Sequence, residues 1–347
     1  MKLGSNPRGH GSELSRRRFL ALAGGAATAG ILSPFFTLAN RRIDEIRRTA
    51  FTMGSIVTVT AYCRDEAACD HAIDSAFREM KTIDALMSVF DRKSEISRAN
   101  HEAGKASIGV DPRVVEIVEY ARRYSAITNG AFDITVEPLM ELYGFRDDAS
   151  QHRFPTDAEI ALTLDALGMK NVSIDPRGSQ LGLTHPGTEL DLGGIAVGYA
   201  LDRAARILRS NGVESSLINH SGDILAIGSP PEDDHWEVGI TDPVDTEKIA
   251  TTVRICDEAL STSGNYRNFV KAEGRTIGHI LDPASGRSAD SLLSATVIAP
   301  SAVEADALST GLFVLGIANA RPIVERHPAL SLVAISRSES GKAIQRF

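Results

Sequence analysis

Between residues 216 and 299 the chain passes through one strand-like run after another, with no helical spacing between them. The runs are 216–227, 236–241, 251–255, 266–272 and 292–299, rich in β-branched and apolar residues and parted by Gly, Pro, Asp and Ser. Upstream the pattern changes. Ala72, Ala76, Met80, Ile83 and Met87 recur at helical spacing through 66–87, and 114–128, 156–167 and 195–210 read as further helices. Shorter alternating runs at 51–62, 171–174 and 181–183 read as strands, and a helix over 302–315 and a strand near 330–336 close the chain. A doubly wound parallel sheet needs a helix after each strand. Here strands come in groups, so the expected class is α+β. No low-complexity linker interrupts residues 40–347, which are expected to form a single compact domain.

Residues 1–39 are expected to be removed. Ser15-Arg16-Arg17-Arg18-Phe19-Leu20 precedes an uncharged, Ala- and Gly-rich run over 21–36, and Thr37-Leu38-Ala39 offers small residues to a signal peptidase. Paired arginines before a mildly apolar run read as a twin-arginine export signal, which places the mature protein in the periplasm. The run is short for a membrane span, and no cysteine near it suggests a lipid anchor. Later apolar runs are all read as shorter than a span, so a soluble mature protein is expected.

The chain has 37 Lys and Arg against 45 Asp and Glu, a formal charge of −8. The leader carries five basic residues and one acidic, so the remainder stands at −12. That balance argues against nucleic acid as a partner, since phosphate backbones demand clustered cations. Cys63, Cys69 and Cys256 are too few for a disulfide framework or a cysteine zinc site. An oxidising compartment permits a Cys63–Cys69 bridge, but the odd count and Cys256 in an apolar strand favour incidental thiols. The nine histidines show no H-x-x-x-H pair, so a zinc enzyme is not indicated.

The candidate chemistry starts at Asp191-Leu-Gly-Gly-Ile-Ala-Val-Gly-Tyr-Ala-Leu-Asp202. An acid ends an apolar run, two glycines follow, and a helix begins. Glycines let backbone approach a ligand, and a helix N-terminus offers N–H groups to an anion, although the same pattern serves ordinary turns. The spacing of Gly193, Gly194 and Gly198 is not the dinucleotide fingerprint G-x-G-x-x-G. Gly130-Ala-Phe-Asp-Ile-Thr135 follows a helix, where Asp133 serves a ligand or caps a turn. Ser261-Thr-Ser-Gly-Asn-Tyr266 reads as a loop able to donate to phosphate, or as a plain turn. His279 precedes apolar Ile280 and is catalytic or structural. Asp306 and Thr310 stand four apart, so on a helix a carboxylate and a hydroxyl share one face. They would suit a hard cation such as Mg²⁺ or a solvated face.

Taken in order, these pieces resemble the ApbE family of FAD:protein FMN transferases. The shared segments also include Met53-Gly54-Ser55, Ser88-Val-Phe90 with Ser94-Glu-Ile-Ser97, Asn219-His-Ser-Gly222, His279-Ile-Leu-Asp-Pro283 and Ala305-Asp-Ala-Leu-Ser-Thr310. The resemblance spans roughly 49–336. It implies a T-fold-like domain with mixed and antiparallel sheets flanked by helices. It also implies an Mg²⁺-dependent reaction in which FMN is joined through its phosphate to a threonine of another protein, with release of AMP. By the family's pattern Mg²⁺ contacts Asp306, Thr310 and the carbonyls of Gly194 and Ser309, and it makes AMP a better leaving group. Met53, Phe90, Ala131, Phe132, Asp133, Asp191, Val197 and Ile280 match positions lining the FAD site, with Phe90 stacked on the flavin. His279 matches a histidine beside the reacting phosphate, in an acid–base or a positioning role.

Two positions depart from many relatives: Val197 replaces a charged residue, and Ser221-Gly222 replaces Gly-Gly. Two other functions compete, an Mg²⁺-dependent FAD pyrophosphatase yielding FMN and AMP, and a non-catalytic FAD-binding assembly protein. The acceptor is expected in a periplasmic or membrane redox flavoprotein. Twin-arginine-exported members resemble the nitrous-oxide-reduction accessory protein NosX, whose client is the membrane flavoprotein NosR; the signal alone carries that assignment to a NosR-like acceptor.

Overall fold

A computed structural model of the chain describes residues 43–146, 154–266, 268–272, 275–339 and 341–347. The expected signal over 1–39 lies outside the described residues. An eight-stranded sheet organises the domain: β1 (Asp44–Thr52), β2 (Ser55–Cys63), β3 (Ser216–His220), β4 (Asp223–Ile227), β5 (Ala259–Ser263), β6 (Ser294–Ala299), β7 (Ser331–Ser338) and β8 (Gly341–Arg346). They lie side by side in chain order, each antiparallel to the next. The α+β class holds. All strand pairs among the described residues are antiparallel, so the mixed sheet is not found.

Local chemistry explains two of the turns. Met53 and Gly54 sit at φ 50° and 75°, and Ser221 and Gly222 at 54° and 110°. Left-handed pairs of this kind suit two-residue hairpins, because their twist matches that of the flanking strands. The runs 51–62 and 216–227, read as single strands, are therefore hairpin strands on either side of a turn.

The remaining elements enter between sheet strands. Helices α1 (Glu66–Met87), α2 (Glu95–His101), α3 (Pro112–Ile127), α4 (Glu137–Leu142), α5 (Asp157–Leu164) and α6 (Ala196–Ser210) fall between β2 and β3. Helix α7 (Ala302–Arg326) joins β6 to β7. Sheet residues alternate between two cores, as a period of two demands. Leu225, Ile227, Ala259, Val297 and Leu332 join the core under the helices. Ile224, Ala226, Leu260, Ile298 and Val333 face a ribbon of Trp236–Thr241 and Ile249–Ile255.

Four expectations change. The first half of the run 261–266 is strand: Ala259–Ser263 is β5, inside the sheet, and a hairpin of Phe269–Ala272 and Arg275–Gly278 follows. Helix α7 extends past 315 to Arg326, with a break at Gly316 (φ 67°, ψ 171°). At 25 residues it is long and apolar enough to cross a membrane by length and composition, contrary to the expectation that later runs fall short of a span. Here its apolar residues pack in the domain core. Cys63 and Cys69 form a disulfide between the end of β2 and α1 rather than remaining free thiols. Cys256 is exposed just past the ribbon strand that ends at Ile255.

Helices α6 and α7 cross at Gly198. A Cβ on Gly198 would run into the Ala302 carbonyl and come within 2.7 Å of the Asp306 Cβ. In the absence of one, the Gly198 N–H reaches Asp306 Oδ2 at 2.9 Å. One turn later Asp202 accepts from the N–H groups of Ala302 (2.8 Å) and Val303 (2.9 Å), so α6 caps the start of α7 with a carboxylate. Gly198→Ala is expected to destabilise the fold by about 1–3 kcal/mol, as overpacking does. A urea midpoint equal to wild type would show that the helices part without cost.

Candidate active site

A cavity of about 810 Å³ opens where the inserted segments meet the sheet. Met53 comes from the β1–β2 turn, Phe90 from the α1–α2 loop, and Ala131, Phe132 and Asp133 from the loop after α3. The loop before α6 supplies Asp191, Gly193 and Gly194, β4 supplies Asp223, and β5 with its continuation supplies Ser261 to Gly264. His279 and Ile280 follow the Phe269–Gly278 hairpin, and Asp306 and Thr310 project from α7.

One corner concentrates oxygen donors. Asp306 is buried, and its carboxyl is pushed well above the ordinary range by desolvation, then by the Asp223 carboxylate, against the pull of the Gly198 N–H. Asp223 accepts from Ser261 Oγ at 2.5 Å. Ser263 Oγ lies 3.0 Å from Thr310 Oγ1 and 2.8 Å from Ser309 Oγ. These hydroxyls share a face because Ser261 and Ser263 alternate toward the helices along β5, while Thr262 meets Thr296 at 2.8 Å on β6. No Lys or Arg pairs with Asp306 among the described residues. Two carboxylates with hydroxyls and no cation partner for Asp306 form a hard-oxygen donor set, and Mg²⁺ fits it.

A different charge pattern stands against Phe90. Arg146 lies 4.9 Å over the exposed Phe90 ring and donates to Asp191 Oδ2 at 2.8 Å and to Glu137. Burial pushes Glu137 up to about 7, opposed by Arg146. Asp191 also accepts from the Gly193 N–H at 2.7 Å, which fixes the loop before α6. Asp133 accepts from the Thr135 N–H (2.8 Å) and hydroxyl (2.7 Å), and burial raises its carboxyl.

His279 is half-buried, with desolvation holding its pKa below the ordinary value. Its Nδ1 lies 3.1 Å from the Asn268 carbonyl. A carbonyl only accepts, so Nδ1 carries the proton and the neutral ring keeps its lone pair on Nε2. Asn265 accepts from the Ile280 N–H at 2.9 Å and donates to the Ala289 carbonyl at 2.7 Å, which pins the His279 loop.

Eleven of the thirteen residues singled out in the sequence line this one cavity. Val197 and Ser309 do not. Val197, on the first turn of α6, is half-buried against the helix-side core. Ser309 is fully buried, with its hydroxyl spent on the Asp306 carbonyl at 2.9 Å. Sequence reasoning missed Asp223, Asn265 and Arg146. Asp223 follows a left-handed turn, a placement that could have flagged it; Arg146 follows Gly144-Phe145 with no readable pattern.

The model of the ApbE family matches residues 53–334. The chain is 33% identical over 295 residues to the FAD:protein FMN transferase of Salmonella typhimurium, covering 84% of each. It is 34% identical over 247 residues to the Escherichia coli protein of the same description, covering 70% of each. Among solved structures it superposes on the ApbE protein of Thermotoga maritima with TM-score 0.79 and 31% identity, over 87% of this chain and 97% of that one. The flavinyl transferase ApbE of Pseudomonas stutzeri gives 0.78 and 30%, over 88% and 95%. With sequence and fold in agreement along nearly its whole described length, this chain belongs to the ApbE family.

Proposed function

We propose that this chain transfers FMN from FAD to a threonine of another protein, with Mg²⁺ and with release of AMP. The buried Asp306 beside Asp223, in one cavity with Phe90 and His279, carries the reading. The flavin would sit at the Met53 and Phe90 end, where an exposed ring offers a face to stack on. The pyrophosphate would sit at the carboxylate corner. Asp306 and Thr310, with the Gly194 and Ser309 carbonyls, would hold Mg²⁺, which would supply positive charge against the pyrophosphate and the departing AMP. Gly194 suits close approach, because a Cβ there would stand 3.3 Å from Thr310 Oγ1.

The group transfer needs a base for the acceptor hydroxyl. His279 Nε2 is free to take that proton as the threonine oxygen bonds to the FMN phosphorus and the bond to AMP breaks. Asn268 and the Asn265-pinned loop hold the ring in that tautomer. Export by the twin-arginine route belongs to the same proposal and rests on residues 15–39; the Cys63–Cys69 bridge supports an oxidising compartment. A NosR-like redox flavoprotein is the client proposed on that signal.

Mass spectrometry of exported proteins, with and without this chain, tests the whole reading. A threonine gaining FMN supports it. Free FMN and AMP with no modified protein would mean that water is the acceptor, and unchanged FAD would mean a binding protein.

Two further outcomes are expected. Asp306→Ala should lower transfer at least ~100-fold at limiting Mg²⁺, by removing a charged group aimed at the reacting centre. Titration of Mg²⁺ at saturating FAD checks this, and wild-type rates would refute the ligand assignment. For His279 the active form is neutral, so activity should hold above its pKa and fall as pH drops through it, with a midpoint below the ordinary value of about 6.5. His279→Gln should lose rate and remove that acid limb; a profile unchanged from wild type would rule out the base role.

A further inference from the structure

A second cleft, of about 420 Å³, adjoins the first. It lies between the β3–β4 turn at Ser221 and Gly222, the ribbon residues Gly239 to Thr241, and the end of β5 with Gly264 and Tyr266. Asp223, Thr262 and Gly264 line both spaces. The two therefore meet at the carboxylate corner, one on the helix side of the sheet and the other on the ribbon side.

Two features beside this cleft point to a second occupant. The ribbon strand Trp236–Thr241 pairs with Ile249–Ile255 on one edge and with no strand on its other edge among the described residues. An unpaired edge presents main-chain donors and acceptors in the spacing an added strand would use. The second feature is the rim. Of nine exposed large apolar residues among the described residues, six belong to segments bounding the two spaces. Phe90 and Phe269 line the main cavity. Phe51 and Ile56 face each other across β1 and β2, next to Ser55, whose hydroxyl meets that of Ser221 in the cleft wall. Val244 lies in the ribbon loop and Ile249 at its end; Ile249 is the cross-strand partner of Thr241, and its Cδ1 lies 2.8 Å from where a Gly239 Cβ would stand. Scattered apolar residues are normal on a surface, but several on segments bounding two adjoining spaces are the pattern of a protein contact.

We propose that this cleft seats the threonine-bearing segment of the acceptor protein. The segment lies extended along the free edge of Trp236–Thr241, and its neighbours in the acceptor cover Ile249, Phe51 and Ile56. The threonine hydroxyl then passes Thr262 into the shared corner, leaving the main cavity to FAD. This rests on the transferase reading and adds to it where the protein substrate binds. The chemistry requires such a route, because the acceptor oxygen must reach the phosphorus while FAD occupies the larger space.

The test uses the acceptor protein identified by its FMN mass gain. Ile249→Glu and Phe51→Glu, made singly at sites 65% and 68% exposed, are compared with Leu162→Glu on α5, 74% exposed. Each rim variant is expected to raise the KM for the acceptor by ~10-fold or more, the effect of losing one well-packed contact. The kcat at saturating acceptor and the FAD affinity by flavin fluorescence should stay at wild-type values, and Leu162→Glu should change nothing. Rim variants with the wild-type KM for the acceptor, in a chain that does transfer FMN, would overturn the cleft alone. A wild-type chain that modifies no protein would overturn the transferase reading and the cleft with it.

Discussion

The site depends on how closely α6 and α7 approach. At Gly198 the two helices touch through backbone, and this contact fixes Asp306 by a main-chain hydrogen bond while turning Thr310 toward the hydroxyls of β5. Asp202, one turn on, anchors α7 from the same helix. The arrangement carries an energetic burden. Burial raises the Asp202 carboxyl to about 6, and both Asp223 and Asp202 press on Asp306. A carboxyl with a raised folded pKa favours the fold most below its unfolded value near 4, and that advantage is lost as pH rises toward the folded value. At neutral pH these groups therefore lower stability, and a bound cation would offset them. The active-site corner is held in strain-prone electrostatics by a rigid crossing.

The sheet explains how such a site can be assembled from distant segments. Its strands neighbour one another in chain order, so no sheet strand has to thread past another. The sheet itself gives Asp223 from β4 and Ser261 to Ser263 from β5. Much of the rest of the site comes from what is inserted between neighbours: among the described residues six helices after β2, the ribbon after β4, the His279 hairpins after β5, and α7 after β6. The sheet supplies register, and the insertions converge at its end. Loops carried on a rigid scaffold can diversify without disturbing the core.

Much of this was legible because it depends on local pattern. Helix α1 and the strand Trp236–Thr241 fall where periodicity puts them, and Asp306 and Thr310 share a face because helical spacing demands it. The failures have equally local causes. Met53 at positive φ breaks an apparently continuous strand, since nothing in its side chain announces a left-handed turn. Ser261 to Ser263 look like a loop because polar residues rarely fill a central strand; here their hydroxyls find partners on α7, on β4 and on β6. Val197 shows the limit of transferring roles by position, because a residue on the first turn of a helix can turn into the core. Arg146 and Asp223 are tertiary in origin. Arg146 reaches Asp191 45 residues on and Asp223 meets Ser261 38 residues on, so no short window contains these pairs; only Glu137, nine residues before Arg146, lies nearby.

The charges lining the cavity bear on the metal. Arg146 is the only Arg or Lys lining it among the described residues, and its guanidinium is committed to Glu137 and Asp191 against Phe90. At the other corner Asp223 and Asp306 lie close enough for one to raise the pKa of the other. A pyrophosphate would meet like charge there, worth about 1–4 kcal/mol per pair at contact distances depending on the local dielectric. Helix dipole and backbone N–H groups before α6 offer some relief, but a macrodipole supplies only about half a charge. Under the proposed reaction, substrate binding and metal binding would therefore be one event: the carboxylates would hold a cation whose charge offsets that of the phosphate. The same logic separates the two halves of FAD. On the proposed reading, the flavin end would bind on ring contacts alone, whereas the pyrophosphate end would be complete only with a cation in place.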